Sequence, residues 1–153
     1  MLMGRACEVL LPIRVDFVMG NPDSHRAVCT LSSIELLKRL AEPPDRDKFA
    51  RIGRLVTENR GVEKMIDYLD GHHNIRCLIL CGRDSRGHLP GQALIALHNS
   101  GVDEKGRIIG ALGADPVVNL SKQTLDWYRN HVRIENLIGV LDPHLVIERA
   151  LSL

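Results

Sequence analysis

Between Asn74 and Asn99 the chain reads NIRCLILCGRDSRGHLPGQALIALHN, and no other stretch constrains the fold as tightly. Ile75 to Cys81 is an apolar run of strand length, broken only by Arg76. It lacks the strict alternation of a strand that faces water on one side, so it belongs in a sheet covered on both faces. A polar loop with glycines at 82 and 87 follows, then a segment with helical spacing from about 89 to 99, stopped by Asn99-Ser100-Gly101. A strand, a glycine loop and a helix start are the parts from which open α/β proteins build ligand sites.

The rest of the chain predicts the same architecture. Ile13 to Met19 is a strand candidate closed by the turn signal Gly20-Asn21-Pro22-Asp23, and Arg26 to Leu31 is a further apolar run. Ser32 or Ser33 caps a helix from Ile34 to Ala41, which Pro43-Pro44 ends. Phe49 to Val56 reads as a strand, and Thr57 to Gly61 as a polar hinge. Val62, Met65, Ile66 and Leu69 form the apolar stripe of the next helix, stopped at Gly71. After 99 come a turn, a short strand Arg107 to Gly110, and a helix capped by Ser121 that runs to about His131. A strand within Val132 to Val140 and a last helix from Pro143 to Ala150 complete the order. Strands alternating with helices from 49 onward, without hairpin signals, predict parallel βαβ units in one α/β domain spanning 1–153. Residues 1–11 hold a short apolar start that reads either as a strand or as a flexible end, and they are assigned no role.

Composition removes several functional classes. A net charge of +1 gives no electrostatic footprint for nucleic acid, and 3% aromatics leave little for base stacking. The four cysteines (Cys7, Cys29, Cys77, Cys81) form no C-x-x-C pair, and Cys77 and Cys81 would share one strand face. With no secretory signal and no apolar run long enough to span a membrane, the expectation is a cytoplasmic protein.

His88, with Pro90 two residues on, stands at the joint between loop and helix. Gly82, Gly87 and Gly91 would let a bulky ligand approach the backbone, and Gln92 falls on the same helix face as His88. A capping or surface histidine is the plainer alternative. The string His88-Leu89-Pro90-Gly91 contains H-x-x-G, part of the D-x-H-x-x-G signature of common cobalamin-binding domains, but Arg86 occupies the aspartate position. Asp84 or a loop carbonyl is therefore the candidate for orienting His88. GALGAD (110–115), followed by Pro116, reads either as a cofactor cradle or as a tight turn, and it lacks dinucleotide glycine spacing. Thr57-Glu58-Asn59 lies where α/β sheets place ligand contacts, or is a helix cap with Asn59 as N-cap. No nucleophile elbow and no zinc-ligand spacing is present.

Four segments, TENRGVEKMI (57–66), NIRCLILCG (74–82), GHLPGQALIALHNSGVD (87–103) and GRIIGALGADPVVNL (106–120), together resemble the corrinoid-carrying A subunit of tetrahydromethanopterin S-methyltransferase. IENLIGVLD (134–142) fits that family's next strand, and the likeness runs in order over about 12–145. The resemblance implies a Rossmann-like α/β domain with a mostly parallel sheet flanked by helices. It implies a cobamide (cobalamin-type corrinoid, cobalt) as cofactor and His88 as its lower axial ligand. Gly87, Leu89, Gly91, Gln92, Thr57, Glu58, Asn59, Gly82, Gly113, Ala114 and Pro116 would then line the pocket. The function it implies is that of a methyl carrier, a methyltransferase component rather than a complete enzyme. It would take methyl from a methylated pterin and work with separate methyl-donor and methyl-acceptor proteins or subunits. The resemblance implies, for family members in methanogens, a C-terminal extension ending in a membrane helix; the expectation for this chain is a homologue without that anchor. The alternatives are a non-catalytic cobamide store, chaperone or sensor, and a pterin- or nucleotide-binding protein that has lost the cobamide.

Overall fold

The computed structural model describes residues 17–153. Five strands form one sheet in the order β1-β3-β2-β4-β5: β1 Phe17–Met19, β2 Arg26–Cys29, β3 Arg51–Gly53, β4 Cys77–Gly82 and β5 Arg133–Ile138. β2, β3, β4 and β5 run parallel, and β1 pairs antiparallel to β3 at one edge. Of the first strand candidate, residues 17–19 are this edge strand; residues 13–16, like residues 1–11 and Cys7, lie outside the described residues.

β4 is buried along its whole length, as its unalternating sequence requires. Leu78 and Leu80 join the core on one face, and Cys77, Ile79 and Cys81 join the core on the other. Helices α2 (Arg60–Asp70), α3 (Pro90–Ser100) and α4 (Lys122–His131) cover the first face, and α1 (Ile34–Leu40) and α5 (Pro143–Leu151) cover the second. The result is a three-layer α/β sandwich, consistent with a Rossmann-like fold. Tyr128, fully buried on α4, donates its hydroxyl to the Leu94 carbonyl on α3 at 3.0 Å and so locks two helices of one layer together.

Three helix starts follow the sequence reading. Asn59 is the N-cap of α2, the Ser121 hydroxyl accepts the Thr124 N–H at 3.1 Å, and Pro143 opens α5 behind Asp142. Ser33 precedes α1, but its hydroxyl makes no cap bond there. The expected strand at Arg107–Gly110 is corrected: only two isolated bridges form, Val102 with Ile108 and Arg107 with Val117. Gly106 and Gly110, both at positive φ, bend the backbone at either end of a run too short to pair. β3 is likewise shorter than the 49–56 expected, because its parallel partner β2 ends opposite Gly53.

The connections place α1 on one side of β2 and return α2 to the other. The point where the strand order reverses is the gap between β2 and β4, where open α/β sheets carry ligands at their carboxyl ends.

Candidate cofactor site

At this gap the loops after β2 and β4 are stitched together. The N–H and hydroxyl of Ser32 donate to the Arg83 carbonyl at 3.0 and 2.7 Å, and the Arg83 N–H donates to the Ser33 hydroxyl at 2.9 Å. Gly82, at φ 76°, lies so close to the Thr30 carbonyl that a Cβ would collide with it. Gly82 thus lies at the base of the crevice, in backbone contact.

The chain then doubles back to start α3. Pro90 at the first helical position needs no hydrogen-bond acceptor, but the next two N–H groups do. Asp84 supplies it, its two carboxylate oxygens accepting from Gly91 and Gln92 at 2.9 Å each. Leu89, half-buried in the left-handed region at φ 46°, makes no cap of its own. Asp84 is therefore the helix cap and not the group that orients His88.

That group is Glu58. His88 Nδ1 lies 2.8 Å from Glu58 Oε2, and Glu58 Oε1 accepts the Asp115 N–H at 2.8 Å. Glu58 is 1% exposed, while the His88 side chain is 55% exposed. Burial pushes the Glu58 carboxyl up, yet bonds from the Asp115 N–H, its own N–H and the His88 ring outweigh it and hold the group below its ordinary value of 4.5. An ionised carboxylate only accepts, so Nδ1 carries the proton and, in the neutral ring, Nε2 keeps the lone pair. Nε2 has no hydrogen-bond partner among the described residues.

The small-residue loop at 110–116 clasps this pair. A Cβ on buried Gly113 would collide with the His88 carbonyl and stand 3.0 Å from Glu58 Cγ, so only glycine allows the approach. Ala114 donates its N–H to the Gly87 carbonyl at 2.9 Å. The Gln92 carboxamide donates to the Gly110 carbonyl at 2.8 Å and accepts the Leu112 N–H at 2.9 Å, so it bonds the loop from within the chain. Asn59 reaches the Asp115 carbonyl at 3.3 Å, and Pro116 is buried with its carbonyl accepting the Ile108 N–H at 2.8 Å. The loop presents Leu112 to solvent at 74% exposure, with Ile109 nearby in sequence at 47%.

The fold therefore assembles Gly87, His88, Gly91, Gln92, Glu58, Asn59, Gly113 and Ala114 in one corner, while the Thr57 hydroxyl accepts the Gly61 N–H at 2.9 Å on the start of α2. Two things were missed from the sequence. Glu58 is a site residue there but nothing ties it to a histidine thirty positions away, and Asp115 and Leu112 lie within the GALGAD loop without being singled out. Cys81 is remote from any such chemistry: it is buried, lies 3.6 Å from the Cys29 carbonyl, and burial raises its thiol far above the ordinary range. Among the described residues no three or more His, Cys, Asp and Glu side chains are grouped to hold a metal ion by themselves.

The profile of the MtrA family, the A subunit of tetrahydromethanopterin S-methyltransferase, matches residues 7–151. The chain belongs to this family. It is 44% identical over 133 residues to a Methanosarcina acetivorans protein named as the A subunit of a putative methyltransferase, Mtx, a match covering 86% of this chain and 64% of that protein. Methanothermobacter marburgensis has a tetrahydromethanopterin S-methyltransferase A subunit, numbered 2, that is 39% identical over 136 residues, covering 88% and 71%. The A subunit numbered 1 of the same enzyme in Methanothermobacter thermautotrophicus is 41% identical over 133 residues, covering 86% and 54%. The chain thus spans only part of the length of these relatives. No helix among the described residues is long and apolar enough to cross a membrane.

Proposed function

We propose that this chain is a cobamide-binding methyl carrier in which His88 Nε2 is the lower axial ligand of the cobalt. The observation that carries the reading is the buried Glu58 on His88 Nδ1, which fixes the ring's tautomer and orientation and leaves one nitrogen lone pair free. A carboxylate on the far nitrogen is the usual support of a metal-binding imidazole. A cobamide brings its own equatorial nitrogens and needs a single axial donor from the protein, so one supported imidazole suits it. Exposed apolar Leu112 and Ile109 on the adjoining loop suit the flat face of a macrocycle. The residues present fit the group.

When bound, the cobamide supplies a cobalt centre able to accept and release a methyl group. The chain's own part is positional. Glu58 holds the ring proton at Nδ1, the Gly113–Asp115 backbone holds Glu58, and Asp84 fixes the helix start that follows His88. A relative named as one subunit of a methyltransferase supports a place among other subunits; a cytoplasmic setting, a methylated pterin as methyl source and separate donor and acceptor proteins belong to the same proposal.

The test is the visible spectrum of the purified protein mixed with cobalamin. The wild type is expected to give the spectrum of imidazole-ligated cobalt, and His88→Ala to lose it. Equal spectra and equal affinity for the two proteins would remove the axial-ligand assignment.

A further inference from the structure

A cavity of about 390 Å³ lies on the same sheet face, between β3 and α2, and small-molecule sites start at roughly 300 Å³. Ala27 and Gly53 are among its lining residues and take up little of its space. Four cations line it: Arg51 and Arg54 from β3 and its end, and Arg60 and Lys64 from α2. Among the described residues no aspartate or glutamate lines it. None of these four makes an ion pair among the described residues.

Three details argue that the charge is placed for a ligand. The Arg54 Nε is buried and has no hydrogen-bond partner among the described residues, and a buried unmade donor is costly. The Arg51 guanidinium is held 3.8 Å from the ring centres of both Phe17 and Tyr68, which fixes its position by cation–π contact and leaves its N–H groups available. Arg60 occupies the first position of α2, where the helix dipole favours a negative charge and opposes a positive one. Each feature is unfavourable or idle alone and becomes favourable when an anion enters. The remaining lining is apolar, including Leu55, Val56 and Met65.

We propose that this cavity binds an organic anion with a phosphate or carboxylate tail, met by Arg54, Arg60 and Lys64, and an apolar body lying against Leu55, Val56 and Met65. The site is separate from His88 and does not depend on the cobamide reading. The test is isothermal titration of the full chain with adenosine diphosphate, folate and adenosine at low and high salt. Adenosine diphosphate reports a phosphate tail and folate a carboxylate tail; adenosine is the uncharged control. At least one of the two anions is expected to bind, at least ten-fold more tightly than adenosine, and more weakly as salt rises. Arg54→Gln is expected to weaken that binding at least ten-fold while keeping the wild-type circular dichroism, with Lys64→Gln as the second variant, and His88→Ala is expected to leave it unchanged. Absence of binding by both anions, equal binding of adenosine, or binding kept in both Arg54→Gln and Lys64→Gln overturns the proposal.

Discussion

Around His88 the carboxylates of Glu58 and Asp84 and the carboxamides of Gln92 and Asn59 all bond within the chain, and one imidazole nitrogen is left over. Along α2, four cations face a cavity with no carboxylate among the described residues. The two places stand on one sheet face and share the bend at 57–61, yet they treat polar groups in opposite ways. In the first, internal satisfaction fixes the geometry of a single donor before any ligand arrives, which is how directional bonds to a metal are prepared. In the second, charge is left uncompensated, which gives attraction with little directional demand.

The contrast predicts that substitutions in the His88 corner damage the fold and that substitutions in the groove do not. The largest effect is expected at Gly113, where any Cβ collides with the His88 carbonyl. Gly113→Ala should cost about 3 kcal/mol by overpacking, read as a lower urea midpoint. Gly87→Ala, with nothing near its Cβ but a φ of 76°, should cost only about 1 kcal/mol of backbone strain.

Next comes Glu58. Replacing it with Gln leaves the buried site unable to accept from both the Asp115 N–H and the His88 ring, and should cost about 2 kcal/mol. The same variant carries a pH signature. Because the folded Glu58 lies below its ordinary value of 4.5, the unfolded chain binds more protons in that window, so stability rises with pH through it. The contribution is complete above about pH 4.5 and is lost as pH falls through the folded value. Glu58→Gln should flatten that acid limb in a series of denaturation curves between neutral pH and pH 3.

Asp84→Ala removes the cap of α3 and should cost about 1 kcal/mol by the same measurement. The smallest effect belongs to the groove: Arg54→Gln should change unfolding stability by less than about 0.5 kcal/mol. A cost at Arg54 equal to that at Glu58 would erase the distinction between the two places.

How far the sequence could be read follows the range of the interactions. The β4–α3 unit was legible because an unalternating apolar run, a Pro at the helix start and a stop at 99–101 are local signals, and each element stands within a residue or two of its expected place. Ser121 was legible as a cap for the same reason. Arg107–Gly110 was misread as a strand because composition cannot show whether a partner lies alongside. The Glu58–His88 bond spans thirty positions and leaves no periodicity, and Asp84 is an acidic residue whose role depends on how the loop doubles back. The groove was invisible for the same reason: residues 51, 54, 60 and 64 become one wall only when α2 packs over β3.

The bend from Thr57 to Gly61 has a consequence of its own. Thr57, Arg60 and Gly61 turn toward the groove, while Glu58 and Asn59 turn toward the loop that clasps His88. Five consecutive residues thus serve two sites, 57, 60 and 61 the one and 58 and 59 the other, like letters shared by two crossing words. Insertion or loss of one residue here would displace side chains from both sites at once, so the length of this short segment is constrained from two sides.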